Sequence, residues 1–148
     1  MGSTFLSLHY HIIFATKHRK LSITPAWRDR LHEYLGGTVR GLEAIPEAIG
    51  GVDDHVHLLV GLRATHTLAD FIRELKKAGT AWVKNEKLDL QFAWQEGYAA
   101  FTVSPTARGG VKKYIANQAD HHRRRSFVEE LKWLLKEAGI AYDPQYLE

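Results

Sequence analysis

Residues 53 to 61 read "DDHVHLLVG". The stretch alternates and is rich in Val and Leu, so it predicts a strand. Residues two apart on a strand point to the same face, roughly 6.6 Å from one another. His55 and His57 therefore present two imidazoles side by side on an otherwise apolar element. Packing has no need of them; a metal ion has. A second His-x-His, His9-Tyr10-His11, lies in "TFLSLHYHIIF" (4 to 14), the first predicted strand. Either pair alone also fits histidines bonded to neighbours on a sheet face.

Working outward, Thr24 and Pro25 read as an N-cap and first helical residue. A helix to about Arg40 follows, with Leu31, Tyr34, Leu35 and Val39 at helical spacing. "LEAIPEAIGG" is a weaker strand, placed at a sheet edge by Pro46 and closed by a Gly50-Gly51 turn. Thr67 starts a second helix with Leu68, Phe71, Ile72, Leu75, Ala78 and Trp82 on one face. "GYAAFTVS" (97 to 104) is the fourth strand. The order β-α-β-β-α-β is the split βαβ of ferredoxin-like folds, an α+β class with an antiparallel sheet. Two helices come after it: one over about 107 to 124, and one opened by the capping box Ser126-Phe-Val-Glu129. No linker, repeat or low-complexity tract divides residues 1 to 148, which predicts a single domain.

The 148 residues contain no cysteine, which excludes disulfides, thiolate metal sites and cysteine nucleophiles and suits a reducing cytosol. No apolar run approaches the ~18 residues of a membrane span, and the N-terminus lacks a signal-peptide pattern. Metal-dependent barrel hydrolases with His-x-His strands need ~250 residues, more than this chain has. Net charge is only +3 with pI near 9.2, but the cations are grouped. "TKHRK" contains Lys17, Arg19 and Lys20, and "HHRRR" contains His121, His122, Arg123, Arg124 and Arg125. Such runs form solvated faces or phosphate contacts.

Tyr114 and Gln118 are four apart and share a helix face. Beside a histidine pair that spacing acquires chemical meaning. Two imidazoles and a glutamine carbonyl can hold a divalent ion with open positions, and a tyrosine one turn away can attack phosphorus. Imidazole plus carbonyl oxygen leans toward Mg²⁺ or Mn²⁺.

The stretches "HYHIIFATKHRK", "GVDDHVHLLVGL", "FAWQEGYAAFTVS" and "VKKYIANQADHHRRRSFVEEL" resemble, in that order, the single-tyrosine HUH transposases of small bacterial insertion sequences. The likeness is greatest to the REP-associated tyrosine transposases, and it runs over nearly the whole chain. It implies that His55, His57 and Gln118 are metal ligands and Tyr114 the nucleophile. It further implies cleavage and rejoining of single-stranded DNA at hairpins through a 5′-phosphotyrosine, and a homodimer with shared active sites. The setting it implies is cytoplasmic and nucleoid-associated. His11 is expected to serve structure or DNA contact. Gly109-Gly110 departs from the pattern, falling where the tyrosine helix should have begun; it reads as a loop or as a hinge. A replication-initiation nickase and a non-catalytic hairpin-binding module are the competing functions.

Overall fold

The computed structural model describes residues 2–147. Four strands form one antiparallel sheet in the order β2-β3-β1-β4, the ferredoxin-like arrangement that the element order predicts. They are β1 (His9–Ala15), β2 (Ile45–Val52), β3 (His55–Gly61) and β4 (Ala99–Thr102). The helices are α1 (Arg28–Gly41), α2 (Leu68–Asn85), α3 (Arg108–Ala116), the short α4 (Gln118–His121) and α5 (Phe127–Glu137). Among the described residues, no helix is long and apolar enough to cross a membrane.

The two central strands are covered on both faces, and β3 is buried along its whole length. Strand periodicity divides its side chains between two environments. Val56, Leu58 and Val60 join Ile12 and Phe14 of β1 in the main core, against Leu31, Leu35 and Val39 of α1 and Phe71, Ile72 and Leu75 of α2. Trp94 belongs to this core, edge-on to Phe14 and Phe92. The opposite face holds two small apolar clusters. One joins Ile13 and Ala15 to Phe127, Leu131 and Leu135 of α5; the other joins Leu59, Val103 and Ile115. His11, His55 and His57 lie on this second face, beneath α3 to α5.

Several boundaries differ from the sequence expectation. The first strand begins at His9, not residue 4, because β3 ends at Gly61 opposite His9, and the pairing closes with the Leu62 N–H bonded to the Leu8 carbonyl. Thr24-Pro25 forms a turn rather than the helix start: the N–H groups of Trp27 and Arg28 bond to the Thr24 carbonyl, and α1 begins at Arg28. The predicted helix over 107 to 124 breaks at Asn117, which turns Gln118 inward. Pro46 sits on the edge strand as expected, at a bulge between Pro46 and Ala48.

Both glycine pairs differ as well. Gly50-Gly51 is not a turn: both residues are inside β2, and Asp53-Asp54 make the turn. Gly50 is where α3 rests on the sheet, since a Cβ there would lie 2.4 Å from the Ile115 carbonyl oxygen. Gly109-Gly110 is not a loop. Both lie in the first turn of α3, preceded by a 3₁₀ turn (Pro105–Ala107), and Cβ atoms there would meet nothing within 4 Å.

Adding one methyl should therefore have opposite effects at the two pairs. Gly50→Ala should destabilise the fold by about 1–3 kcal/mol, because Ile115 and its helix must shift. Gly109→Ala should stabilise it by about 0.5–1 kcal/mol through lower unfolded-chain entropy. Urea unfolding midpoints of the two variants check both signs; equal shifts would contradict the seat at Gly50.

Candidate active site

Five elements converge on one polar cluster. His55 and His57 come from β3, His11 from β1, Tyr114 from α3, Gln118 and His121 from α4, His122 from just after it, and Glu130 from α5. The capping box sets the phase of α5: Ser126 Oγ accepts from the Glu129 N–H, and the Ser126 N–H donates back to Glu129. Such a cap contributes about 1 kcal/mol. With that phase, Phe127, Glu130, Leu131 and Leu135 form the inward stripe.

Glu130 is 0% exposed. Its Oε1 lies 3.1 Å from His57 Nε2, 3.1 Å from His122 Nε2 and 3.4 Å from His55 Nε2. Its Oε2 accepts from Gln118 Nε2 at 3.0 Å and from the Tyr114 hydroxyl. Gln118 Oε1 is 3.1 Å from His55 Nε2. On the outer side, His55 Nδ1 faces Asp54 Oδ1 at 2.8 Å, and His57 Nδ1 faces His11 Nε2 at 2.8 Å. His122 Nδ1 donates to the Arg125 carbonyl at 2.9 Å.

These contacts push the imidazoles apart in basicity. Burial opposes charge on His55, but its hydrogen bonds to Asp54 and Glu130 outweigh this and raise its pKa to about 9. Burial lowers His57 to about 4, outweighing the pull of Glu130, and repulsion from His55 and His122 adds to the drop. Burial and the neighbouring His57 lower His11 to about 3. For Glu130, burial is outweighed by hydrogen bonds from His122, His55 and His57, which hold its carboxyl far below the usual carboxylate range. Burial and the Glu130 carboxylate push the Tyr114 phenol up, so it is a neutral donor in this state.

The sequence-predicted residues separate into two groups. His55, His57, Gln118 and Tyr114 come together as expected. Of the predicted DNA contacts, Lys17, Lys20, Arg123 and Arg124 are exposed. Arg19 instead donates to the Leu147 carbonyl, and Arg125 stacks on Trp133. His121 stacks on Tyr114 with ring centroids 4.5 Å apart. His122, expected at the DNA, instead turns its ring into the cluster, because the chain reverses after α4 and its Nδ1 bonds to Arg125. Glu130 was missed. Its signal was a carboxylate in the apolar phase of an amphipathic helix, where a charge is seldom tolerated without partners.

The donor set suits a divalent cation. His55, His122 and Glu130 place ligand atoms within 4.8 Å of one another, with the amide oxygen of Gln118 and the imidazole of His57 adjoining. The Asp54–His55 contact is the outer carboxylate–imidazole pairing that orients metal-binding histidines. The tyrosine reaches the cluster of its own chain.

In the metal-free protein, stability should peak near pH 6.5. As pH falls from about 6.5 toward 4, the unfolded chain takes up protons that His57 and His11 refuse in the fold. As pH rises from about 6.5 toward 9, the unfolded chain releases the proton that folded His55 keeps. Stability declines on both sides. Urea unfolding in EDTA at pH 5, 6.5 and 8.5 measures this; a midpoint rising steadily to pH 8.5 would contradict the charged His55.

A family model described as "Transposase IS200 like" matches residues 4–118. The ISDra2 transposase TnpA of Deinococcus radiodurans is 31% identical over 121 residues, covering 76% of this chain and 85% of its own. Among solved structures, a Deinococcus radiodurans protein assigned to the transposases superposes with TM-score 0.64 at 28% identity, covering 80% of this chain and 96% of that one. A REP-associated tyrosine transposase bound to a REP hairpin superposes with TM-score 0.62 over 82% of this chain and 73% of its own. At 14% identity, that second likeness concerns the fold alone.

Proposed function

The chain belongs to the IS200-like transposase family, and from that premise we propose that it cleaves and rejoins single-stranded DNA at hairpin-bearing ends through a phosphotyrosine intermediate. The observation that carries the reading is the meeting of Tyr114, His55, His57 and Gln118 in one buried cluster. A tyrosine hydroxyl held in a charged, water-poor site beside metal-compatible donors suits phosphoryl transfer. A DNA hairpin is the bound partner in the REP-associated tyrosine transposase structure, and the proposal extends that class of partner to this chain. The setting proposed is the nucleoid, in the cytoplasm.

In the proposed reaction, Tyr114 Oη attacks the scissile phosphorus, and the bond from phosphorus to the 3′-oxygen breaks. The products are a 5′-phosphotyrosine and a 3′-hydroxyl. The tyrosine proton has an acceptor already in contact, Oε2 of Glu130, and the departing 3′-oxygen takes up one proton, so the balance closes without water. A second 3′-hydroxyl attacking the phosphotyrosine reverses these steps and rejoins the strand. His55, His57 and Gln118 would hold a Mg²⁺ or Mn²⁺ ion, whose chemistry when bound is to neutralise charge on the phosphate oxygens. The exposed Lys17, Lys20, Arg123 and Arg124 offer phosphate contacts along the strand.

A labelled single-stranded hairpin oligonucleotide incubated with the protein and Mn²⁺ should become covalently attached. Tyr114→Phe should abolish the adduct while hairpin binding stays within a few-fold, roughly the margin of losing one hydroxyl contact. Adducts that persist in Tyr114→Phe would remove Tyr114 from the role. Binding without any adduct in the unmutated chain would make the protein a non-catalytic hairpin-binding module.

The proposal includes a homodimer in which α3 of one subunit serves the other's sheet. Here α3 rests on its own β2: Arg108 pairs with Glu47, and Ile115 lies on Gly50. Exchange would need Gly109-Gly110 to act as a hinge. Co-expressing Tyr114→Phe with His57→Ala subunits, each inactive alone, distinguishes the arrangements. Shared sites restore cleavage in the mixture; sites built within one chain leave it dead.

A further inference from the structure

We propose that Glu130 bridges the metal ion and the nucleophile: its Oε1 is a ligand of the ion together with His55 and His122, while its Oε2 holds the Tyr114 hydroxyl. The inference rests on the reading of this cluster as a metal-assisted strand-transfer site, and it adds two ligands to the set that the family pattern supplies. Both His122 and Glu130 lie beyond residues 4–118 that the family model matches.

The outer hydrogen bonds carry the case. The Arg125 carbonyl and Asp54 Oδ1 serve as acceptors, so the Nδ1 atoms of His122 and His55 carry the protons that face them. Metal binding would displace any second proton from these rings, and each Nε2 would then present its lone pair inward. His122 Nε2 meets Glu130 Oε1 at 3.1 Å, and His55 Nε2 meets the same oxygen at 3.4 Å and Gln118 Oε1 at 3.1 Å. Gln118 turns its amide oxygen to this point because its amide N–H is committed to Glu130 Oε2. The two Nε2 atoms, Glu130 Oε1 and Gln118 Oε1 thus converge on one point, where imidazole protons hold them together in the metal-free protein. A divalent cation at that point can take the place of those protons. The three donors lie within 4.8 Å of one another, a span one cation can bridge.

The two carboxylate oxygens have separate employment. Oε1 faces imidazoles only, whereas Oε2 takes the hydroxyl and amide protons. A carboxylate shared in this way ties the position of the nucleophile to occupancy of the metal site. Two imidazoles, one carboxylate and an adjoining amide oxygen suit Mn²⁺, with Mg²⁺ as the harder alternative.

Manganese titration of the 148-residue chain, followed by the electron paramagnetic resonance of free Mn²⁺, tests the ligand role without reference to activity. Glu130→Gln and His122→Ala should each weaken Mn²⁺ binding roughly tenfold or more, while Tyr114→Phe leaves it nearly unchanged. The bridge is read on the unmutated chain labelled with 3-fluorotyrosine, in which the ¹⁹F resonance absent from Tyr114→Phe identifies Tyr114. Adding Mg²⁺ should shift that resonance. The ¹⁹F measurement decides the matter if Glu130→Gln fails to fold. Mn²⁺ bound equally by the unmutated chain, Glu130→Gln and His122→Ala would overturn this inference and leave the metal reading standing. A Tyr114 resonance that stays fixed as Mg²⁺ binds would overturn the bridge. No Mn²⁺ binding by the unmutated chain would overturn both.

Discussion

A fully buried carboxylate must be compensated, and the second layer of this molecule is organised around compensating Glu130. An unpaired ion in such a place costs several kcal/mol, of order the stability of the whole domain. The compensation comes from elements distant in sequence: the imidazoles of β3, the amide and phenol of the segment over residues 114 to 118, and His122 after α4. None of these partners satisfies Glu130 alone. The carboxylate therefore couples the docking of α5 to the position of α3, and both to the strand that carries His55 and His57.

The two faces of the sheet divide the labour. Against α1 and α2 the packing is a single apolar core that needs no specific polar contact to hold it. Against α3 to α5 the apolar material is split into two small clusters, with the polar site between them. A rigid face fixes the histidines, since β3 is central and buried throughout. The tyrosine helix is held more sparingly, by the Arg108–Glu47 pair, by Ile115 on Gly50 and by the Tyr114 hydroxyl on Glu130. That contrast would suit the proposed reaction, in which the same tyrosine attacks and is later released.

Charge placement follows the same economy. A net charge of +3 is too small to draw DNA to the whole surface. The exposed Lys17, Lys20, Arg123 and Arg124 concentrate what there is. Four further members of both basic runs have partners within the chain: Arg19 with the Leu147 carbonyl, Arg125 over Trp133, His121 against Tyr114 and His122 in the cluster.

Local pattern determined much of this molecule unaided. Alternation in β1 and β3, helical spacing in α1 and α2, the edge placement of Pro46 and the capping box at Ser126 are short-range effects, and each is legible in consecutive residues. So was the pairing of His55 with His57 and of Tyr114 with Gln118, because strand and helix periods fix which side chains share a face. Tertiary structure alone decided the rest. Gly50-Gly51 reads locally as a turn, yet the constraint on Gly50 is a helix more than sixty residues later, whose backbone leaves no room for a Cβ. Gly109-Gly110 reads as a loop, yet both are helical once Arg108 is anchored to β2. His122 and Glu130 looked like members of a basic patch and an acidic helix turn. They belong to the site because a chain reversal after α4 and the phase of α5 bring them to histidines that lie far off in the sequence, and no local rule encodes that meeting.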